Sequence, residues 1–150
     1  MPAERRQPAN GFTLIEVLVV VAILGIALAV FAARGPLRSR GLEQQAAASQ
    51  LTQTLRLGRS RAIAADRPVP VVVDLATHRV ALDGVPRLVL PASAMLAAQM
   101  ADGSVPRRAA EFVFAPDGSA TGGRVVLAMG ERRLVVTVDW LTGRVTIAGP

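Results

Sequence analysis

The chain of 150 residues has no cysteine, no tyrosine, one tryptophan and one histidine. Without cysteine it forms neither disulfides nor thiolate metal sites, so cysteine usage carries no information about the redox compartment. His78 would have to serve in any Ser-His-Asp triad, but it lies beside a predicted turn, which is typical of a surface or strand-end histidine. Aromatic residues make up only 3% of the chain, which leaves no stacking platform for single-stranded nucleic acid.

Other catalytic and ligand-binding signals are weak as well. The glycines of residues 118–123 lack the lysine and the spacing of a phosphate-binding loop. Residues 117–119, Asp-Gly-Ser, suggest calcium at first sight, but no further oxygen ligands follow at alternate positions, which favours a hairpin turn. We therefore predict that the protein is not an enzyme and requires no cofactor and no metal.

The basic residues are all arginine. The chain has 17 arginines and 11 acidic residues, which gives a formal net charge of +6. The absence of lysine is typical of biased genomic composition rather than of a binding code. Five arginines could contact phosphates, but no dense arginine cluster ends the chain, so we predict a solvated or protein-contacting face and no nucleic-acid partner. These arginines are Arg107, Arg108, Arg132, Arg133 and Arg144.

An apolar segment, residues 12–33, contains a single charge, Glu16. At about 1.5 Å per residue, a helix of this length extends roughly 33 Å, close to the hydrocarbon thickness of a bilayer. We predict one transmembrane helix. An ordinary secretory signal carries its small-residue cleavage site after the apolar core and fits this segment poorly, so the helix should remain in the mature protein.

Glu16 is costly within such a segment. A carboxylate deep in a bilayer costs about 2.5 to 3.5 kcal/mol on insertion scales, so it either lies hydrated at the interface or has a partner. The basic residues do not settle the orientation, because Arg5 and Arg6 precede the segment while Arg34, Arg38 and Arg40 follow it.

Residues 11–17, GFTLIEV, follow a short polar, basic leader and open the apolar run. This arrangement resembles the class III signal of type IV pilins and type II secretion pseudopilins. The resemblance implies that a prepilin peptidase cuts between Gly11 and Phe12 on the cytoplasmic side and methylates Phe12. It further implies that Glu16 pairs with the N-terminal amine of a neighbouring subunit, and that the residues after the span lie in the periplasm.

After the span the periodicity becomes amphipathic. Residues 34–36, Arg-Gly-Pro, kink or restart the helix, and a stripe of small and apolar residues then recurs every three or four positions. Residues 66–68, Asp-Arg-Pro, end this helix. The stripe comprises Ala48, Leu51, Leu55, Gly58 and Ala62.

Beyond Pro68 the pattern changes to short alternating apolar runs separated by turn residues, which predicts antiparallel strands. We predict strands at residues 69–75, 79–82, 87–90, 111–114, 125–129, 134–140 and 144–148. Residues 91–108 are predicted to form a long loop with one helical turn at 95–100, and Trp140 is predicted to be buried in the core.

The predicted fold class is α+β, with a long N-terminal helix packed on an antiparallel sheet or small sandwich. The predicted organisation is a cleaved leader at 1–11, a transmembrane helix at 12–33, an amphipathic helix at 34–67 and a β domain at 68–150.

Two patches extend the resemblance. Residues 58–63 with the following Pro-Val strand, and residues 112–119 with Gly122, Gly123 and residues 142–145, are similar to H-type minor pseudopilins of type II secretion and to related minor pilins. This implies a structural subunit of the periplasmic pseudopilus, single-pass in the bacterial inner membrane, which helps export folded proteins. Its partners would be the other major and minor pseudopilins and the inner-membrane platform. The alternatives are a minor type IV pilin of pilus priming or DNA uptake and a plain membrane-anchored β domain.

Overall fold

The computed structural model describes residues 13–33 and 40–149. The chain divides into two units, Met1–Leu37 and Arg38–Pro150. Among the described residues, the first unit contains helix α1 (Leu14–Ala33), and the second contains helix α2 (Arg40–Ala65) and eight strands. The predicted leader at 1–11, the predicted mature N-terminus Phe12 and the predicted break at 34–36 lie outside the described residues.

Helix α1 begins directly after Thr13. The backbone N–H of Glu16 donates to Thr13 Oγ1 at 3.3 Å and to the Thr13 carbonyl at 3.0 Å, so Thr13 caps the first turn. Within residues 13–33 and 40–149, neither helix meets the combined length and apolarity required to cross a membrane.

Helix α2 carries the predicted stripe and packs on the strands of its unit. Ala48, Leu51, Leu55 and Ala62 are fully buried, which confirms the amphipathic prediction. The helix ends because Asp66 adopts a positive φ of 47° and the Arg67 N–H reaches back to the Ala62 carbonyl at 3.3 Å, a Schellman-type end ahead of Pro68.

The strands form two antiparallel sheets of four. In the first sheet the order is β3-β2-β1-β5, with β1 (Val69–Asp74), β2 (Arg79–Leu82), β3 (Leu88–Val89) and β5 (Ala109–Phe114). In the second the order is β4-β6-β7-β8, with β4 (Met95–Met100), β6 (Gly123–Met129), β7 (Arg132–Val138) and β8 (Val145–Ala148). Both sheets contact α2, so the helix covers a core shared by the two.

The core follows from the register of the strands. Alternate residues of β1 face inward, and the register sets Val71 opposite Phe112 and Val69 opposite Phe114. Both phenylalanines are fully buried together with Leu51 and Leu55 of α2. Because side chains alternate along a strand, the opposite faces of these strands remain partly or fully exposed.

Gln44 fastens the first part of α2 to the second sheet. Its Nε2 donates to the carbonyls of Leu127 at 2.7 Å and of Arg132 at 3.1 Å. The side chain is only 2% exposed, and the two hydrogen bonds offset the cost of burying an amide.

Two sequence predictions are wrong. Residues 95–100 form strand β4, not a helical turn within a long loop, and all six pair with β6. Their sequence, MLAAQM, has no β-branched residue and favours a helix by propensity, but the pairing with β6 outweighs that preference. Trp140 is 60% exposed, because β7 ends at Val138 and the tryptophan lies in the following turn.

Thr52 offers a test of the packing of α2. Its side chain is buried, and within the described part of the chain its hydroxyl has no hydrogen-bond partner. We expect Thr52→Val to raise the free energy of unfolding by about 1 kcal/mol, because an unpaired buried hydroxyl is removed with little change in shape. Chemical denaturation measures this.

The matched control is Thr54→Val on the same helix. Thr54 is partly exposed and its hydroxyl donates to the Gln50 carbonyl at 3.0 Å, so this change should give no gain in stability. A Thr52→Val protein no more stable than Thr54→Val would contradict an unpaired hydroxyl at position 52.

Candidate functional site

The first turn of α1 carries the predicted assembly residue. Glu16 is the only charged residue of the helix and lies in its first turn, where the helix dipole favours an acid. Its side chain is exposed. Gly11 and Phe12, the other two predicted site residues, precede Thr13 and lie outside the described residues. The structure thus leaves the carboxylate of Glu16 open to a cation from another molecule.

The surface of α1 is apolar on all sides. Twelve leucine, isoleucine and valine side chains between Leu14 and Val30 are 45% to 91% exposed. A helix that is apolar all round requires apolar surroundings on every side, and an exposed surface of this kind indicates contact with lipid or with other apolar helices.

Within the second unit, Arg59 joins α2 to two turns. Its Nε donates to the carbonyls of Gly118 and Thr142, each at 3.0 Å. The two turns approach each other closely: a Cβ at Gly143 would collide with the Gly118 carbonyl, and Gly143 has a φ of 59°. Only glycine adopts this conformation at that distance without strain.

Beside these turns lies a groove of about 550 Å³, lined by Ser60, Thr142, Gly143, Val145 and three arginines, Arg56, Arg59 and Arg144. Arg56 Nη2 donates to the Val145 carbonyl at 2.9 Å. Among residues 13–33 and 40–149, no acidic side chain lines the groove, so the described lining is positively charged. Arg144 is among the arginines singled out from the sequence, whereas Arg56 and Arg59 are not, because their spacing on α2 is that of ordinary solvated residues.

His78, the one histidine available for a catalytic triad, and Asp117, in the segment that suggested calcium, both lie in turns and make hydrogen bonds. His78 Nδ1 lies 2.9 Å from the Pro91 carbonyl, and the residue has a φ of 55° in the turn between β1 and β2. Asp117 accepts a hydrogen bond from the Ser119 N–H at 2.9 Å, which confirms the predicted turn.

Exposed aspartates stabilise turns in the same way. The hydroxyl and N–H of Thr142 both donate to Asp139 Oδ1, at 2.7 and 2.8 Å. These hydrogen bonds lower the pKa of Asp139 from its ordinary value of 3.8, and the one from the Thr142 hydroxyl has the largest effect. The pKa values of Asp74, Asp102 and Asp117 are lowered by equivalent turn contacts.

The Asp139 turn predicts a pH dependence. A carboxyl whose pKa is lower in the folded state stabilises the fold above the unfolded pKa, and this contribution is lost as the pH falls through the folded pKa. We expect Thr142→Val to raise the pKa of Asp139 toward 3.8 and to weaken the fold at neutral pH. Carboxyl titration by NMR and thermal melting measure the two effects.

Thr142→Ser retains the hydroxyl and is the matched control, which should keep the pKa of Asp139 low. Equal pKa values of Asp139 in the valine and serine variants would show that the hydroxyl of residue 142 does not stabilise the carboxylate.

Two family models match the chain. The prokaryotic N-terminal methylation motif matches residues 6–32, and the model described as type II transport protein GspH matches residues 47–143. The type II secretion system protein H of Xanthomonas campestris pv. campestris is 32% identical over 152 residues, covering 99% of this chain and 88% of that protein.

Two solved structures share the fold at 16% identity. The minor pseudopilin EpsH from the type 2 secretion system of Vibrio cholerae matches with a TM-score of 0.58 over 72% of this chain and 98% of its own. The type IV minor pilin FimU of Pseudomonas aeruginosa matches with a TM-score of 0.55 over 75% of this chain and 96% of its own.

An N-terminal methylation motif, together with a helix packed on antiparallel sheets, defines a pilin-like protein, which confirms the predicted fold class. The GspH model covers more than half of the chain and the relative matches it almost from end to end. The chain therefore belongs to the GspH family of type II secretion minor pseudopilins.

Proposed function

We propose that this chain is a structural minor pseudopilin that assembles into the periplasmic pseudopilus of a type II secretion system and so helps export folded proteins. The observation that supports this most strongly is the occurrence, in one chain, of the methylation motif at residues 6–32 and the GspH domain at residues 47–143. Its role is structural, with the other pseudopilins and the inner-membrane platform as partners.

The proposed location is the bacterial inner membrane, which residues 12–33 cross once with the second unit in the periplasm. The exposed apolar side chains of α1 support this, since lipid supplies the surroundings that they require. After assembly, the α1 helices of neighbouring subunits would replace the lipid.

The proposed maturation is cleavage by a prepilin peptidase between Gly11 and Phe12, followed by methylation of Phe12. Cleavage would create an ammonium group directly before the Thr13 cap, at the positive end of the helix dipole, where a cation is unfavourable. The carboxylate of Glu16 on a neighbouring subunit would neutralise it. In low dielectric the two charges attract strongly, and neither is well tolerated alone.

Gly11→Ala tests the cleavage site. We expect the leader to stay attached, because a side chain is added at the residue that the peptidase must accommodate, and the unprocessed protein should be 11 residues longer. Gel mobility and intact mass measure this, and the wild-type protein should begin with N-methylated Phe12.

Gly25→Ala is the matched control, because a Cβ at Gly25 would meet no atom within 4 Å. It should be processed like the wild type. Normal leader removal in the Gly11→Ala protein would mean that the cleavage site lies elsewhere.

The fold shared with FimU supports one alternative function, that of a minor type IV pilin. Deletion of the gene in the native host, with complementation, separates the two functions. The proposed function predicts that extracellular levels of type II secreted proteins fall while pilus-dependent motility and DNA uptake persist. The reverse pattern would support the pilin function.

A further inference from the structure

The turn between β7 and β8 exposes two large apolar side chains. Trp140 is 60% exposed and Leu141 is 64% exposed, and Trp140 is the only tryptophan in the chain. Tryptophan is enriched among the residues that dominate binding energy at protein interfaces. We call this pair the Trp140 tip.

Hydrogen bonds fix the backbone of the Trp140 tip. The Gly143 N–H donates to the Asp139 carbonyl at 2.8 Å, and the Ala120 N–H donates to the Trp140 carbonyl at 2.9 Å. Gly122 packs against the tryptophan so closely that a Cβ there would lie 2.6 Å from Trp140 Cβ. Because the turn backbone is fixed before binding, it loses little conformational entropy when a partner docks.

The arginine groove, lined by Arg56, Arg59 and Arg144, begins at Thr142, directly after the tip in the same turn. Trp140 itself lines a separate cavity with Gln99 and Arg124. Arg56 and Arg59 each use part of the guanidinium on backbone carbonyls, and a guanidinium has five N–H donors, so donors remain for a ligand. Asp139 precedes the same turn and accepts hydrogen bonds from Thr142, but it does not line the groove. The three arginines of the lining therefore outnumber this one carboxylate.

We propose that the Trp140 tip and the arginine groove form one binding surface for an acidic segment of another protein. An apolar side chain of that segment packs on Trp140 and Leu141, and its carboxylates enter the groove, where guanidinium groups bind them in bidentate geometry. Charge complementarity favours this occupant, because a second copy in a symmetric contact would bring the same arginines against each other. The inference rests on the proposed function only in placing the partner in the periplasm.

Photo-crosslinking in the native host tests the surface. A photoreactive amino acid replaces Leu141 in the full-length protein, and the same residue at Met95 is the control, because Met95 is 78% exposed on β4, at the opposite edge of the second sheet. We expect a light-dependent protein adduct from position 141 and none from position 95. Mass spectrometry should place the crosslink within a few residues of two or more acidic side chains.

Charge reversal in the groove provides the second arm. We expect Arg144→Glu to reduce the adduct about tenfold, because a like charge replaces a complementary one, whereas Arg144→Lys should retain most of it. Arg133→Glu makes the same change on an exposed residue of β7 outside the groove and should leave the adduct intact. Melting curves of each variant check the fold.

Four results would overturn the binding surface: no adduct from position 141, equal adducts in Arg144→Glu and Arg133→Glu, a crosslink distant from any acidic residue, or a crosslink to nucleic acid. Secretion is scored on the same cultures expressing the otherwise wild-type protein. If the proposed function is wrong, secretion in these cultures will not depend on this gene. The binding surface is tested separately, by the crosslinked adducts alone.

Discussion

Glu16→Ala is expected to leave the protein inserted in the membrane but to prevent its incorporation into the pseudopilus. Insertion should persist, because removing a carboxylate makes the apolar segment easier to accommodate in lipid. Assembly should fail, because the ammonium of a neighbouring subunit loses its counter-charge. A net loss of about 1.4 kcal/mol already lowers an association constant about tenfold. Membrane fractionation, crosslinking to other pseudopilins and secretion measure these outcomes.

Two further variants define the cause. Glu16→Gln keeps the shape of the side chain without its charge and should behave like Glu16→Ala if the charge is what matters. Glu43→Ala removes an exposed acid from the first turn of α2 and should assemble normally. Wild-type secretion with Glu16→Ala would exclude the proposed pairing, and failure of Glu16→Ala alone, with normal secretion by Glu16→Gln, would indicate a role of shape instead.

Gly58→Val is expected to destabilise the second unit by about 3 kcal/mol, because enlarging a residue in a packed core forces its neighbours apart. A Cβ at Gly58 would lie only 2.5 Å from Val71 Cγ2 and 3.3 Å from Phe114 Cδ2, and both neighbours are fully buried. For a domain of this size we expect a melting temperature about 10 °C or more below that of the wild type.

The stability of Gly58→Ala should lie between those of the wild type and Gly58→Val. Alanine gains about 1 kcal/mol of helix propensity, but its methyl group still presses against Val71. Ser60→Val, on the exposed side of α2, is the matched control and should change stability by a few tenths of a kcal/mol. A Gly58→Val protein that melts with the wild type would contradict the close packing of α2 on β1.

Periodicity explains why much of the fold could be predicted. The stripe from Ala48 to Ala62 repeats every three or four residues, as a helix on a core requires, and valine-rich alternation marks β1 and β7. Strand β4 could not be found in this way, because its pairing with β6 depends on residues more than twenty positions away. Gln44 was missed because a polar helical residue reads as exposed, and its burial depends on carbonyls that no side-chain pattern reveals.

The candidate site residues also differ in whether a local sequence pattern reveals them. Glu16 could be identified because one charge interrupts a long apolar run. Arg59 could not, because its partners are the backbone carbonyls of turns 59 and 83 positions further along the chain. Trp140 was assigned to the core because of its size, whereas its exposure follows from the end of β7 two residues earlier.

Helix α2 is fastened to its sheets near both ends, by Gln44 at one and by Arg59 at the other. The two residues are separated by about 22 Å of helix axis, and the buried stripe fills the interval between them. A force directed along this axis is therefore distributed in shear over the whole contact rather than peeling the helix from one end. When a subunit is pushed or pulled lengthwise, its strands travel with the helix as one rigid piece.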